Sequence, residues 1–345
     1  MYLATIDCGT TNSRVYIIRD DGKILGKGTR NVGVRDTSIT GSKDKLKDGL
    51  ASAFQEALDS SGLQLNDIAC AIAAGMITSE IGLVDIPHIQ TPAGLDDLAK
   101  GLQKIHDTSI FPIDIPIYFV PGIRNRFDPA TATPEIVGEL DFMRGEETQV
   151  MGYLSKHPTD RPVLIIILSS HTKFIYINES AKVERSLTTL SGQVYEAVKK
   201  ETFIGKSIEK QAGIEAPDEY MDPKVIENAW RWREHSGFVR CLLMIRFLDV
   251  LLDTSWYERR LFFESLLAAE DFQTFTHFGI SVEDERKPDV VIIGPVTRCN
   301  LYQYMLMSKF NYPIKQIDRL SDTNEIDMLN IVGSLSIART AGIFS

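Results

Sequence analysis

The chain has 345 residues, 43% hydrophobic and 24% charged, a balance expected of a globular protein with one large domain or two medium ones. A net charge of −10 with no extended Lys/Arg block argues against nucleic acid or an anionic membrane surface as main partner. It leaves room for a small anionic substrate, which needs only a local cluster of donors. The four scattered cysteines, Cys8, Cys70, Cys241 and Cys299, have no Cys-x-x-Cys spacing and argue against a disulfide framework or a zinc site.

Residues 3–6 read as a buried strand, 15–18 as the strand leaving the next turn, and 24–30 as a third strand after the tight turn at Asp20-Asp21-Gly22. Between the first two lies Asp7-Cys8-Gly9-Thr10-Thr11-Asn12, which suits a phosphate tail. Gly9 lets the backbone come close, backbone N–H groups and the side chains of Thr10, Thr11 and Asn12 donate, and Asp7 is placed to hold Mg²⁺ directly or through water. The same residues also suit an ordinary hairpin turn, and this stretch alone does not separate the two.

Further on, 46–60 has helical periodicity with Leu46, Leu50, Phe54 and Leu58 on one face. A buried strand at 67–74 leads into Gly75-Met76-Ile77-Thr78-Ser79, 115–120 is another strand, and the proline-rich stretch 124–139 reads as a surface loop. After Met143-Arg144-Gly145-Glu146-Glu147-Thr148-Gln149 a helix runs through Leu154. The strand 163–168 then turns at Ser169-Ser170-His171-Thr172 into 173–177, with a third strand at 183–187. The two halves thus share strand, small-residue turn, strand, polar turn, strand, with Tyr16-Ile17 and Tyr176-Ile177 in equivalent places, which suggests an internal duplication. Residues 193–278 read as mostly helical. A strand at 289–293 runs into Gly294-Pro295, followed by helices at 302–309 and 327–341, the last carrying small residues at Gly333, Ser334, Ser336 and Ala338 for close helix packing. No apolar run approaches transmembrane length and the N-terminus has no basic region with an apolar cleavage segment, so a cytoplasmic location is expected.

This layout resembles the actin/hexokinase superfamily, and the motifs narrow the match. Asp7 to Arg14, Ala74-Gly75-Met76, Val120-Pro121-Gly122 and Met143 to Gln149 are similar, in that order, to the motifs of 2-dehydro-3-deoxygalactonokinases, and His171-Thr172-Lys173 resembles their His-Cys-Lys. The resemblance runs through residue 190 by motif and beyond it by pattern. It implies an α/β fold with two ribonuclease-H-like domains flanking an interdomain cleft: residues 1–148 plus 327–345, and 149–326 with a helical insertion. It also implies ATP-dependent, Mg²⁺-dependent phosphorylation of the terminal (C6) hydroxyl of 2-dehydro-3-deoxy-D-galactonate, ahead of aldol cleavage. Small-molecule sugar acid and ATP are then the partners. A homodimer interface, if present, is expected in 218–278, where only apolar content points to one.

Phosphoryl transfer needs positioning, charge neutralisation and a group to take the hydroxyl proton. By resemblance Gly145-Glu146 is the glycine–carboxylate pair heading the first connecting helix, which makes Glu146 the base and Glu147 the runner-up on the substrate side. Both glutamates also suit any helix N-terminus. Arg144 is placed to grip the substrate carboxylate bidentately, with Arg14 a second candidate that equally suits a structural ion pair. Gly75, Met76 and Thr78 are expected on the substrate side. Ser169, Ser170, His171 and Lys173 form the second phosphate loop, with His171 also suited to a structural hydrogen bond, and Gly294 is the adenosine-loop glycine. The chain has Leu168-Ser169-Ser170-His171 where the family usually has Pro-Gly-Thr-His, so a left-handed backbone there would cost about 1–2 kcal/mol. Thr189-Leu190-Ser191 replaces a Thr-Gly-Glu, and Pro295 removes a donor beside Gly294. These three departures favour, as alternatives, a non-catalytic sugar-acid or nucleotide-binding paralogue. A kinase for another sugar or sugar acid of the superfamily is the nearer rival.

Overall fold

The computed structural model describes residues 1–280 and 287–344. Residues 281–286 and 345, which the expected domain ranges include, lie outside the described residues. The chain divides into two compact units. Unit 1 is Met1–Asp160 with Ile177–Ser186 and Thr323–Ser345, and unit 2 is Arg161–Tyr176 with Leu187–Asp322.

Unit 1 opens with the expected meander, β1 (Tyr2–Cys8), β2 (Ser13–Arg19) and β3 (Ile24–Arg30). Antiparallel pairing sets Asp7 opposite Arg14 and Tyr16 opposite Lys27. Helices α1 (Val34–Thr40) and α2 (Asp44–Ser61) follow, then β4 (Ile68–Gly75), β5 (Ile89–Gln90), α3 (Leu95–Gly101), β6 (Gln103–Ile105), β7 (Ile117–Phe119), β8 (Ile123–Arg124), β9 (Phe142–Met143) and α4 (Glu146–Lys156). The main sheet has the order β3-β2-β1-β4-β7-β6, with β4 parallel to β1 and β7 parallel to β4. The expected face of α2 is buried, and Leu46, Leu50, Phe54 and Leu58 join Ile6, Ile17 and Phe119 in one core.

In the second half, β10 (Val163–Leu168), β11 (Thr172–Ile177) and β12 (Val183–Thr189) precede five helices: α5 (Ser191–Glu201), α6 (Ile204–Ile208), α7 (Pro223–Ser236), α8 (Phe238–Val250) and α9 (Trp256–Asp271). Then come β13 (Asp289–Ile293), α10 (Val296–Phe310), β14 (Ile317–Leu320) and α11 (Thr323–Thr340). The sheet order is β12-β11-β10-β13-β14, and β10, β13 and β14 run parallel. Third, second and first meander strands followed by a parallel strand is the order of both sheets, as the repeated sequence pattern predicts. Every residue of β10 is buried, as a strand covered on both faces requires.

Three local readings change. Within 124–139, Arg124 closes the short strand β8 and Pro134–Glu139 forms a 3-10 turn. The helix expected from 302 begins at Val296, because Pro295 ends the preceding segment at φ −58° and its carbonyl accepts the Cys299 amide at 2.9 Å. Thirdly, α4 belongs with unit 1, although the expected boundary fell at 148. It packs on α11, where Thr148 Oγ1 donates to Asn330 Oδ1 at 3.0 Å and Ser155 Oγ to Ser336 Oγ at 3.0 Å. The small residues of α11 make that contact, as its composition predicts.

Candidate active site

In unit 1 the site grows from the end of β1. The β1–β2 register sets Arg14 beside Asp7, and Arg14 Nη1 donates to Asp7 Oδ2 at 3.3 Å. Burial pushes the Asp7 carboxyl above the usual carboxylate range; Arg14 opposes the shift, while neighbouring Asp327 and Glu146 add to it. The intervening turn closes on itself, the Gly9 amide donating to the Asn12 carbonyl at 2.9 Å. The carbonyls of Gly9 and Thr10 accept from the amides of Val34 and Arg35 at 3.3 and 2.9 Å, so α1 anchors the turn from below. Thr11 and Asn12 are left exposed, and Asn12 Nδ2 reaches Thr11 Oγ1 at 3.2 Å. The Gly9 amide is therefore already used, and free donors come from the tip of the turn.

Two glycines close in on Asp7. Gly75 has φ +90°, and a Cβ there would lie 2.5 Å from the Cys8 carbonyl oxygen and 3.4 Å from Asp7 Oδ1. Gly145 has φ +110°, and its Cβ would lie 3.3 Å from Gly75 Cα. Only glycine satisfies both the backbone and the spacing. Glu146 is the first residue of α4, and its Oε2 is buried with no hydrogen-bond partner among the described residues. Glu147 differs in kind. It is fully buried, and both its oxygens accept the Gly145 amide at 2.8 Å, so it braces the helix start. Burial, reinforced by Glu146, pushes its carboxyl up to about 8.

Arg144 is also turned inward, its side chain only 5% exposed. Nη1 donates to Thr78 Oγ1 at 2.9 Å and Nη2 to the Ile86 carbonyl at 2.8 Å, while Thr78 Oγ1 donates to the Gly75 carbonyl at 3.0 Å. Thr78 is itself fully buried. Met76 lies between them in the 3-10 turn Met76–Thr78 and is partly exposed. Burial lowers the Arg144 guanidinium from its ordinary value. Both Nη atoms thus have protein partners, and the residue holds the Gly75–Thr78 turn in place. Arg14, at 36% exposure, is the more open arginine.

Unit 2 carries the second loop. The Ser169 amide and hydroxyl both donate to the His171 carbonyl, at 3.2 and 3.0 Å, and Ser170 Oγ lies 3.2 Å from His171 Nδ1. Neither serine is among the described residues with positive φ, so the glycine-to-serine departure carries no left-handed strain. Lys173 is buried and donates to Thr188 Oγ1 at 2.8 Å. Gly294, at φ +154°, packs against Leu168 at the end of β10, where a Cβ would meet Leu168 Cβ at 2.7 Å. Elsewhere in unit 2 a cavity of about 120 Å³ is lined by Tyr220, Tyr257, Arg260, Glu264 and Thr297 among others.

Three charged residues escaped sequence reasoning. Arg298 donates to the Ser169 carbonyl and to Thr172 Oγ1, both at 3.2 Å. Asp271, fully buried, accepts from Thr189 Oγ1 at 2.5 Å and also from Ser191 Oγ and Tyr302 OH. The hydroxyls of the departed Thr189-Leu190-Ser191 motif thus find their carboxylate on α9. Asp327, on α11, accepts from Tyr16 OH at 2.5 Å and Lys27 Nζ at 3.1 Å. A signal for Arg298 lay in its place four residues after Gly294. Asp271 and Asp327 had none, since their partners are 82 and 311 residues away.

The family model of 2-keto-3-deoxy-galactonokinase matches residues 7–323. The chain belongs to this family. Among curated relatives, a candidate 2-dehydro-3-deoxygalactonokinase of Rhizobium meliloti (strain 1021) is 27% identical over 209 residues, 60% of this chain and 59% of the relative. The 2-dehydro-3-deoxygalactonokinase of Escherichia coli (strain K12) is 23% identical over 140 residues, 41% of each chain. The matches thus span less than two thirds of these curated relatives. A solved candidate 2-dehydro-3-deoxygalactonokinase from Sinorhizobium meliloti superposes with TM-score 0.72 at 22% identity, covering 98% of both chains. Component A of the Acidaminococcus fermentans (R)-2-hydroxyglutaryl-CoA dehydratase gives 0.50 at 14% identity over 99% of each. These structural likenesses, with the two matching sheet orders, make the fold actin/hexokinase-like and ribonuclease-H-like in each half.

Proposed function

We propose that this family member transfers the γ-phosphoryl group of ATP to the terminal (C6) hydroxyl of 2-dehydro-3-deoxy-D-galactonate. The observation that carries the reading is Glu146 Oε2, a buried carboxylate oxygen without a partner among the described residues, heading α4 in the electrostatic field of Asp7. A carboxylate so placed is poised to accept a proton from a bound hydroxyl. As the hydroxyl oxygen forms its bond to phosphorus, the bond from phosphorus to the ADP oxygen breaks and the proton passes to Glu146.

Asp7 fits Mg²⁺ as a single protein carboxylate. Arg14 takes Oδ2, and no group of three or more His, Cys, Asp or Glu side chains suited to a metal occurs among the described residues. Mg²⁺ commonly uses one carboxylate, waters and substrate phosphates, and when bound it neutralises phosphate charge. In unit 1, Thr10, Thr11 and Asn12 would donate to phosphate oxygens; in unit 2 the candidate phosphate loop is Ser169, Ser170 and His171, where both Ser169 donors already bond the His171 carbonyl. The cavity lined by Tyr220, Tyr257 and Thr297 offers aromatic walls to a nucleotide base. Glu147 is assigned to bracing the helix start and Arg144 to holding Gly75 and Thr78, because their polar atoms already have protein partners. Arg14, hydrogen-bonded to Asp7 and 4.0 Å from Asp327, is assigned by the same criterion to holding those carboxylates rather than the substrate. Lys173, expected at the phosphates, donates to Thr188 Oγ1. With ATP and a sugar acid as substrates we place the activity in the cytoplasm. Among the described residues no helix is long and apolar enough to cross a membrane.

The test is ADP release by purified protein with Mg-ATP and 2-dehydro-3-deoxy-D-galactonate, beside Glu146→Gln. Turnover abolished by the substitution supports kinase and base together. Turnover that survives it removes Glu146 from the role. Turnover only with another sugar or sugar acid moves the substrate, and no turnover despite ligand binding favours a sensor.

A further inference from the structure

Asp327 sits at the meeting point of three donors from one hairpin face. Arg14 and Tyr16 are two apart on β2, and Lys27 stands opposite Tyr16 on β3, so all three project to the same side. Tyr16 OH reaches Asp327 Oδ2 at 2.5 Å, Lys27 Nζ at 3.1 Å, and Arg14 Nε lies 4.0 Å from Oδ1. The Asp327 side chain is 9% exposed. At its other end Arg14 makes one contact with Asp7, and at 3.3 Å it is longer than the roughly 2.7–2.9 Å of a tight charge-assisted bond. The guanidinium therefore holds Asp7 by one hydrogen bond rather than bidentately, with Asp327 at ion-pair distance on its other side.

We propose that Asp327 is a positioning residue that draws Arg14 away from Asp7 and so keeps the Asp7 carboxylate open to Mg²⁺. The inference rests on the kinase reading. The facing charges are Asp7, Glu146 and Asp327 against Arg14 and Lys27. Asp327 absorbs Lys27 and part of Arg14, leaving the Asp7 side of the cluster negative enough to attract a cation. Without its charge, Arg14 is free to pair bidentately with Asp7, and Mg²⁺ must then displace an arginine.

Calorimetric titration of ADP with and without Mg²⁺ tests this in the wild-type chain, Asp327→Asn, Arg14→Met and the double variant. Asp327→Asn is expected to cut the Mg²⁺ enhancement of ADP affinity about tenfold, within the usual range for coupled sites, while metal-free ADP affinity stays put. In the Arg14→Met background the same substitution has no further effect, because the arm through which it acts is gone. Arg14→Met alone preserves or raises the enhancement, a check that holds even if Asp327→Asn does not fold. Unchanged enhancement in Asp327→Asn, an equal loss with Arg14 removed, or a tenfold loss in Arg14→Met alone would overturn the proposal. Wild-type ADP binding that ignores Mg²⁺ overturns it too. Wild-type protein that binds no ADP at all sinks the kinase reading first, and the proposal with it.

Discussion

Gly333 on α11 sets how close that helix comes to α4, the helix headed by the proposed base Glu146. A Cβ at Gly333 would lie 1.9 Å from the Thr148 carbonyl oxygen and 2.9 Å from the Gly152 amide nitrogen, both backbone atoms that cannot rotate away. Reaching an ordinary contact of about 3.4 Å requires α4 and α11 to part by about 1.5 Å. Two effects oppose each other in Gly333→Ala. Alanine favours an exposed helix by about 1 kcal/mol over glycine, whereas overpacking a tight contact costs about 1–3 kcal/mol, and more when backbone must move. Here backbone must move, so overpacking wins and the net loss is about 2 kcal/mol. The displaced helix carries Glu146 at its N-terminus, and a misplacement near 1 Å costs on the order of a hundredfold in rate. Urea midpoints by circular dichroism, with turnover on the same preparations, measure both. Stability equal to or above wild type with unchanged kcat would refute the reasoning, since the two helices would then not be in backbone contact.

Glu147 makes stability pH-dependent. Its folded-state carboxyl is held at about 8, above its unfolded value, so the folded state binds the proton more tightly and stability falls as pH rises from about 4.5 to 8, by up to about 4 kcal/mol. Glu147→Gln should flatten that profile and be the more stable protein at pH 8; parallel urea midpoints at pH 5 and 8 would contradict this. Asp271→Ala strands the hydroxyls of Thr189, Ser191 and Tyr302 in the interior and is expected to cost about 3 kcal/mol, read as a lowered urea midpoint. Asp7→Asn should abolish turnover while leaving the far-ultraviolet spectrum intact, and chelation of Mg²⁺ should reproduce the loss in wild type. Retained activity in either case counts against Asp7 as the metal carboxylate.

Periodicity and turn chemistry made both meanders, the buried face of α2 and the small-residue packing of α11 legible in the chain, because these depend on side-chain alternation and local backbone preference. The short elements β5, β6, β8, β9 and β14 were not legible. Their two to four residues carry too little pattern, and pairing with a neighbour makes them strands. For the site, the motifs named Asp7, Gly75, Gly145 and Glu146, which the fold brings close together in unit 1. Composition could not say which of two adjacent glutamates faces inward. In the fold Glu147 is the fully buried one, with both oxygens on the Gly145 amide, while Glu146 Oε2 has no partner among the described residues; consecutive side chains of α4 point about 100° apart. Arg144, expected at the substrate carboxylate, donates to Thr78 and to the Ile86 carbonyl, which lie within its reach only in the folded chain. Sequence alone thus determined which residue types the site contains and the order of the strands that present them. The tertiary structure decided which polar atoms already have partners, since a buried donor or acceptor must find one wherever the fold brings it, however distant along the chain.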